Sequence, residues 1–111
     1  MTNLFKNIFF TLLILLALAP SVAVADEDGS TLKIIAPKDG QRVGSSIKIE
    51  YDLKKGVQGD HVHAYVDGKY QKGFKGTLYD LEAGIREIEL KVANSDHDIL
   101  ATSAKIKIEV K

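Results

Sequence analysis

The sequence predicts an all-β protein, a two-sheet antiparallel sandwich of about seven short strands. From Thr31 onward apolar residues alternate with charged ones, the spacing of a strand that buries one face. Turn-forming residues separate these runs at short intervals, and no apolar stripe at helical spacing persists between them. This pattern favours a sandwich over a parallel sheet, with an open barrel as the alternative.

The predicted strands are bounded by turn signals. Pro37 and the turn Lys38–Gly40 end the first strand, and the Asp67-Gly68 pair favours a two-residue type I′ hairpin between the third and fourth. The polar loop Asn94–Asp98 precedes the last strand. The predicted strands are Leu32–Ala36, Ser46–Leu53, His61–Val66, Lys69–Phe74, Leu78–Leu81, Ile85–Ala93 and a last strand that ends with Ala104–Val110.

The alternation also predicts which side chains fill the interior. In the sixth strand the aliphatic residues Ile88, Leu90 and Val92 face one way, and charged residues face the other. The same reasoning applied to every strand predicts a core of Leu32, Ile47, Ile49, Val62, Val66, Ile88, Leu90, Val92, Ile106 and Ile108.

The first 25 residues, Met1–Ala25, are predicted to be a cleavable signal peptide. Ile8–Ala19 is a run of 12 almost wholly apolar residues, too short to span a bilayer as a helix, although an uncleaved anchor is the alternative. Ala23 and Ala25 place small residues at the −3 and −1 positions of a cleavage site before Asp26. We therefore expect a periplasmic or secreted protein with no permanent membrane span, a flexible leader at 26–30 and one domain at 31–111.

Composition narrows the function further. Cysteine is absent, which excludes disulfides, thiol catalysis and cysteine-based metal sites. All fifteen acidic residues follow Ala25, whereas one basic residue, Lys6, precedes it, so the mature domain carries a net charge of −1 and no nucleic-acid partner is expected. Ser95, Asp96 and His97 are consecutive and so cannot line up as a hydrolase triad, and we expect no enzyme.

Three segments resemble bacterial immunoglobulin-like domains. Ile35–Val43 (IAPKDGQRV) looks like the opening of such a domain, Leu81–Ile88 (LEAGIREI) resembles its E–F corner, and His61–Gly68 (HVHAYVDG) is similar to strand C of small exported proteins of this kind. Arg86 stands where many such domains have a corner tyrosine. The resemblance implies an immunoglobulin-like β-sandwich but no specific activity, because this fold supports many unrelated functions.

The histidines form the sharpest candidate site. His61 and His63 are two residues apart on one strand, so they leave the same outer face as Tyr65. The immunoglobulin connection order places the start of strand C and the F–G loop at the same end, and here that loop holds His97. The candidate metal ligands are therefore His61, His63 and His97, with Asp60, Asp96 and Asp98 near them at one rim.

Two functions remain open from the sequence. One is a non-catalytic binding or structural domain whose partner is a protein or an envelope component, with its oligomeric state undetermined. The other is a periplasmic metal-binding protein, because imidazole and carboxylate groups suit a Cu or Zn ion. In the first case the three histidines are ordinary surface residues hydrogen-bonded to nearby carboxylates.

Overall fold

This computed structural model describes residues 28–111, which form nine β-strands joined by turns and loops. These residues contain no helix. The predicted signal peptide, its cleavage site and the first two residues of the predicted leader lie outside these residues. Within them, no helix has the length and apolar character to cross a membrane. The strands are β1 Thr31–Ala36, β2 Arg42–Val43, β3 Ile47–Lys48, β4 Glu50–Lys54, β5 His61–Val66, β6 Lys69–Tyr70, β7 Thr77–Leu78, β8 Gly84–Ala93 and β9 Ile99–Val110.

A five-stranded sheet with the order β2-β9-β8-β5-β6 forms the larger part of the fold. Two short ladders, β1-β4 and β3-β7, complete it. Every pair is antiparallel except β2 with β9, which run parallel through Arg42↔Glu109 and Val43↔Val110. The expectation of purely antiparallel sheets is therefore wrong at this edge.

The structure has nine strands where about seven were predicted, because one predicted strand divides in two and Arg42–Val43 forms a strand that was not predicted. Ser46–Leu53 was predicted as one strand, but β3 pairs with β7 whereas β4 pairs with β1. Between them, the Ile49 amide donates to the carbonyl of Gly76 at 2.7 Å. The alternation of side chains continues through this change, and so the sequence pattern carries no sign of it.

Two further strands are shorter than predicted. The predicted Lys69–Phe74 strand stops at Tyr70, after which the Phe74 amide donates to the carbonyl of Gln71 at 3.3 Å and closes a turn. The predicted Leu78–Leu81 strand is Thr77–Leu78, and Asp80 just after it adopts a φ of 55°. In both segments the alternating sequence pattern continues after the last residue that is paired with a neighbouring strand. The pattern therefore predicts a longer strand than the one that forms.

The predicted hairpin turn is confirmed. Asp67 and Gly68 have φ values of 49° and 82°, the pair of positive angles that a type I′ turn requires. The turn sets Val66 opposite Lys69 and Tyr65 opposite Tyr70. It therefore brings β6 alongside the C-terminal end of β5.

Arg86 holds the corner at which β8 begins. Its guanidinium donates to the carbonyls of Glu82 at 3.0 Å and Ala83 at 2.7 Å and to Asp67 Oδ2 at 3.0 Å. Asp67 Oδ1 accepts the amide of Glu87 at 2.9 Å, and this hydrogen bond, together with the arginine, lowers the pKa of the Asp67 carboxyl. An arginine thus bonds to the preceding backbone at the position where many such domains have a tyrosine.

The buried core lies between the inner face of the five-stranded sheet and the two ladders. Ile88, Leu90 and Val92 are fully buried, as predicted from the alternation in β8. Leu32, Val66 and Ile106 are only partly buried against the core. Ala64 and Val110 are also buried, on the faces that the alternation assigns to the core. The buried residues that the sequence pattern did not indicate lie in or near two-residue strands: Val43, Leu78 and Leu81.

The described end of the predicted leader is bonded to the domain. Ser30 is fully buried, and its hydroxyl accepts the Gly56 amide at 3.0 Å. The Asp28 carboxylate accepts the Ser30 amide at 3.0 Å and the Gly59 amide at 2.8 Å. In contrast to the flexible leader expected for 26–30, Asp28 to Ser30 are therefore tied to the loop that leads into β5.

Candidate metal centre

His61 and His63 stand on the outer face of β5. Val62 and Ala64, which alternate with them, are buried in the core, whereas both imidazoles are partly exposed. This is the orientation that the sequence alternation predicted. The backbone of β5 thus places two imidazoles side by side at the edge of the domain.

His97 reaches the same place because of strand pairing. β5 pairs with β8 antiparallel, and His61 lies opposite Ala93, the last residue of β8. The loop that follows Ala93 therefore begins beside the first residue of β5. His97 lies in this loop with a φ of 67° and so occupies the left-handed region of backbone conformation.

Asn94 organises the loop that carries His97. Its side-chain oxygen accepts the amides of Asp96 and Asp98, both at 2.9 Å, and its carbonyl accepts the His97 amide at 3.0 Å. The Asn94 amide donates in turn to the carbonyl of Asp98 at 3.0 Å. These bonds hold the short loop closed and turn the His97 ring toward β5.

Three ring nitrogens meet at this rim. Nε2 of His61 lies 3.0 Å from Nε2 of His63 and 3.1 Å from Nδ1 of His97, and the latter two atoms are 3.5 Å apart. Tetrahedral zinc–imidazole bonds of 2.0–2.1 Å place neighbouring nitrogens about 3.3 Å apart. The three observed separations lie close to this value, so His61, His63 and His97 could hold one ion through these nitrogens.

Asp60 orients the first of these rings. Its Oδ2 lies 2.8 Å from Nδ1 of His61, and the hydrogen bond lowers the pKa of the Asp60 carboxyl. An ionised carboxylate can only accept, so Nδ1 of His61 carries the proton and Nε2 presents a lone pair to the other two histidines. This carboxylate–histidine arrangement is the one that typically supports a metal-bound imidazole.

The electrostatic surroundings favour neutral imidazole at His63. Desolvation, and then the neighbouring His61 and His97, lower the pKa of His63 below its ordinary value. A neutral ring is the form that binds a metal ion. The His63 ring is therefore available as a ligand near neutral pH.

An open cavity of about 220 Å³ adjoins the three histidines. Tyr70, Gln71 and Phe74 contribute to its walls, and the Tyr70 ring lies 5.2 Å from that of His63. Sequence reasoning did not assign these residues to the site. The hairpin register contained the signal, because Tyr70 lies opposite Tyr65 and so is diagonal to His63 on the same face.

Two of the three predicted carboxylates, Asp60 and Asp98, form side-chain hydrogen bonds, but with different partners. Asp60 bonds to His61, whereas Asp98 lies 3.4 Å from the side-chain amide of Asn94. Across residues 28–111, the set of mutually close metal-binding atoms consists of the three histidines, all within 4.8 Å of one another. The structure thus brings together the three predicted histidines but does not add Asp96 or Asp98 to them.

Comparison with solved structures identifies the architecture. The chain is similar to the fibronectin(III)-like modules of Clostridium thermocellum CbhA, with 16% identity, a TM-score of 0.58 and coverage of 73% of this chain and 96% of that one. It is also similar to a lytic polysaccharide monooxygenase of Jonesia denitrificans, with 20% identity, a TM-score of 0.51 and coverage of 68% and 60%.

A third similar structure is the endo-β-1,4-mannanase of Thermotoga petrophila, with 17% identity, a TM-score of 0.56 and coverage of 80% of this chain and 21% of the enzyme. No protein-family model and no curated protein matches the chain. At these identities the similarity shows the fold alone, an immunoglobulin-like β-sandwich, and this confirms the resemblance seen in the sequence.

Proposed function

We propose that this chain is an exported, non-catalytic immunoglobulin-like domain that binds a Cu²⁺ or Zn²⁺ ion through His61, His63 and His97. The observation that carries the proposal is the triangle of ring nitrogens with sides of 3.0, 3.1 and 3.5 Å. Such separations suit three ligands on one ion.

The alternative of ordinary surface histidines fits the contacts less well. Surface imidazoles would be expected to bond to water or to nearby carboxylates, and His61 does bond to Asp60 through Nδ1. Yet Nε2 of His61, Nε2 of His63 and Nδ1 of His97 face one another. An N–H···N hydrogen bond between neutral rings satisfies a pair of these nitrogens, whereas a metal ion would take the lone pairs of all three at once.

The donor chemistry supports Cu²⁺ or Zn²⁺ over Cu⁺. Cuprous ions are selected by thiolate and thioether ligands, but the chain has no cysteine and its single methionine is Met1. Imidazole suits both divalent ions, and at a given nitrogen site copper is the tighter of the two. We therefore expect Cu²⁺ to bind more tightly than Zn²⁺.

Export is the second part of the proposal. It is supported by the apolar run Ile8–Ala19 and by the small residues before Asp26. Intact-mass analysis of protein recovered from the expressing cells tests it, since removal of Met1–Ala25 leaves Asp26 as the first residue. A membrane-bound species that retains those residues would contradict export in this form.

Metal binding is tested by calorimetric titration of Cu²⁺ and Zn²⁺ into the purified exported protein. We expect micromolar or tighter binding, weakened at least about tenfold by His63→Ala. Gln58→Ala, an exposed change in the loop before β5, is the matched control and should leave affinity unchanged. Binding no tighter than millimolar, or binding indifferent to His63, would overturn the metal proposal and leave a binding or structural module of another kind.

A further inference from the structure

The three histidines supply one face of a coordination shell. Four donors surround a structural zinc ion, whereas sites that exchange or activate a ligand keep a position open. In the described residues the close donor set ends at three nitrogens. The cavity of about 220 Å³ lies directly against these three histidines.

We infer that the ion bound by His61, His63 and His97 keeps one coordination position open, and that a small nitrogen- or oxygen-donor anion enters it through this cavity. The inference rests on the proposed metal-binding function and names the class of ligand that completes the site. Ligands of this class, such as azide or a small carboxylate, are compact and offer one donor atom to the ion.

The walls of the cavity contain no negatively charged group that would repel such a ligand. They include the rings of Tyr70 and Phe74 and the carboxamide of Gln71, and no carboxylate or thiol lines the cavity among residues 28–111. Tyr70 is half-exposed, at 50%, so this part of the wall faces solvent. An anion that enters here meets two aromatic rings and a neutral amide but no carboxylate.

Gln71 forms a fixed part of this wall. Its backbone amide donates to the carbonyl of Ala64 at 2.8 Å, and its side-chain amide donates to the carbonyl of Lys69 at 2.9 Å. The first of these bonds involves only the backbone and survives a change of side chain. Substitution at Gln71 can therefore alter the cavity while the strand that carries His63 stays paired.

The placement of the site also separates the ion from the core. Val62 and Ala64 fill the interior from the opposite face of β5. The hydrophobic core packs on that opposite face, so an ion at the rim would not form part of it. An open position is thus compatible with a stable fold.

The test is azide titration into the exported protein loaded with Cu²⁺ and, separately, with Co²⁺. Azide bound to Cu²⁺ gives a ligand-to-metal charge-transfer band, and azide bound to Co²⁺ changes the visible d–d spectrum. We expect both changes to saturate in wild-type protein. If either metal binds in a manner that depends on His63 but azide causes no spectral change, the inference is wrong and the proposed metal-binding function still stands.

Two variants test the route. Gln71→Trp should narrow the cavity and weaken azide binding at least about tenfold, whereas Gln71→Ala should leave it within about twofold. Both should keep the wild-type metal affinity, which verifies that the histidines are undisturbed. Equal azide affinity in wild type and Gln71→Trp would overturn entry through this cavity, and absence of any His63-dependent metal binding would overturn the underlying function instead.

Discussion

Asp60 Oδ2 and His61 Nδ1 are 2.8 Å apart, and this one contact decides which nitrogen of His61 is free. With the proton held on Nδ1 by the carboxylate, the lone pair of Nε2 points toward His63 and His97. Such carboxylates, although they do not touch the ion, orient the ligating ring and raise its basicity. The pair therefore links the loop before β5 to the chemistry of the candidate site.

Replacement of Asp60 by alanine should weaken Cu²⁺ and Zn²⁺ binding by about tenfold to a hundredfold, because the His61 ring loses its orienting acceptor. Thermal stability should change little, since the Asp60 side chain is exposed. Asp96→Ala is the matched control, an exposed aspartate in the loop that carries His97. Calorimetry on the two variants checks this, and equal affinities would remove Asp60 from the site.

Metal affinity should fall as the pH drops from about 7.5 to 5.5, because protons compete with the ion for imidazole lone pairs. The pKa of His63 is lowered by desolvation and by the two neighbouring histidines, so this ring stays neutral to a lower pH than an ordinary histidine. It should therefore be lost as a ligand at a lower pH than an ordinary histidine would be. Titrations at several pH values measure the trend, and an affinity that rises in acid would contradict imidazole ligation.

Gly56→Ala should destabilise the domain. A Cβ at this position would overlap the backbone carbonyl of Asp28 and crowd the Ser30 amide, neither of which can move as a flexible side chain does. We expect a lower denaturation midpoint and weaker metal binding, because the loop from Gly56 leads into His61. Gly44→Ala is the control, since nothing lies within 4 Å of its Cβ position. Equal midpoints for the two variants would show that the segment at Asp28 is not held as described.

Ile88→Ala should lower the free energy of unfolding by about 2–4 kcal/mol, because the side chain is fully buried and its removal leaves a cavity. Ile85→Ala removes the same atoms from the same strand at a position that is 62% exposed, and should change stability by no more than about 0.5 kcal/mol. Chemical denaturation of both variants provides the comparison. A similar loss in each would mean that the inner face of β8 is assigned wrongly.

Much of the fold was readable from local pattern. The alternation in β5 and β8 specifies which side chains face the core, since successive residues of a strand point to opposite faces. The Asp67-Gly68 turn is equally local, because few residue pairs tolerate two positive φ angles. These two features place His61 and His63 together on the outer face.

Other features depended on partners far along the chain. Arg42–Val43 forms a strand only because the end of β9 lies beside it, and the strand predicted through Ile49 divides because its two halves pair with different neighbours. Neither residue composition nor periodicity records the identity of a hydrogen-bonding partner. The same holds for the Asp28 carboxylate, whose bond to Gly59 spans 31 residues of sequence.

The candidate site lies between these two cases. The sequence by itself determined that two imidazoles share one face of β5, because side-chain direction in a strand follows from spacing alone. The arrival of His97 was expected only from resemblance to a known architecture. Tertiary structure decided the distances, since the register His61↔Ala93 and the closed loop from Asn94 bring the third nitrogen to within 3.1 Å of the first.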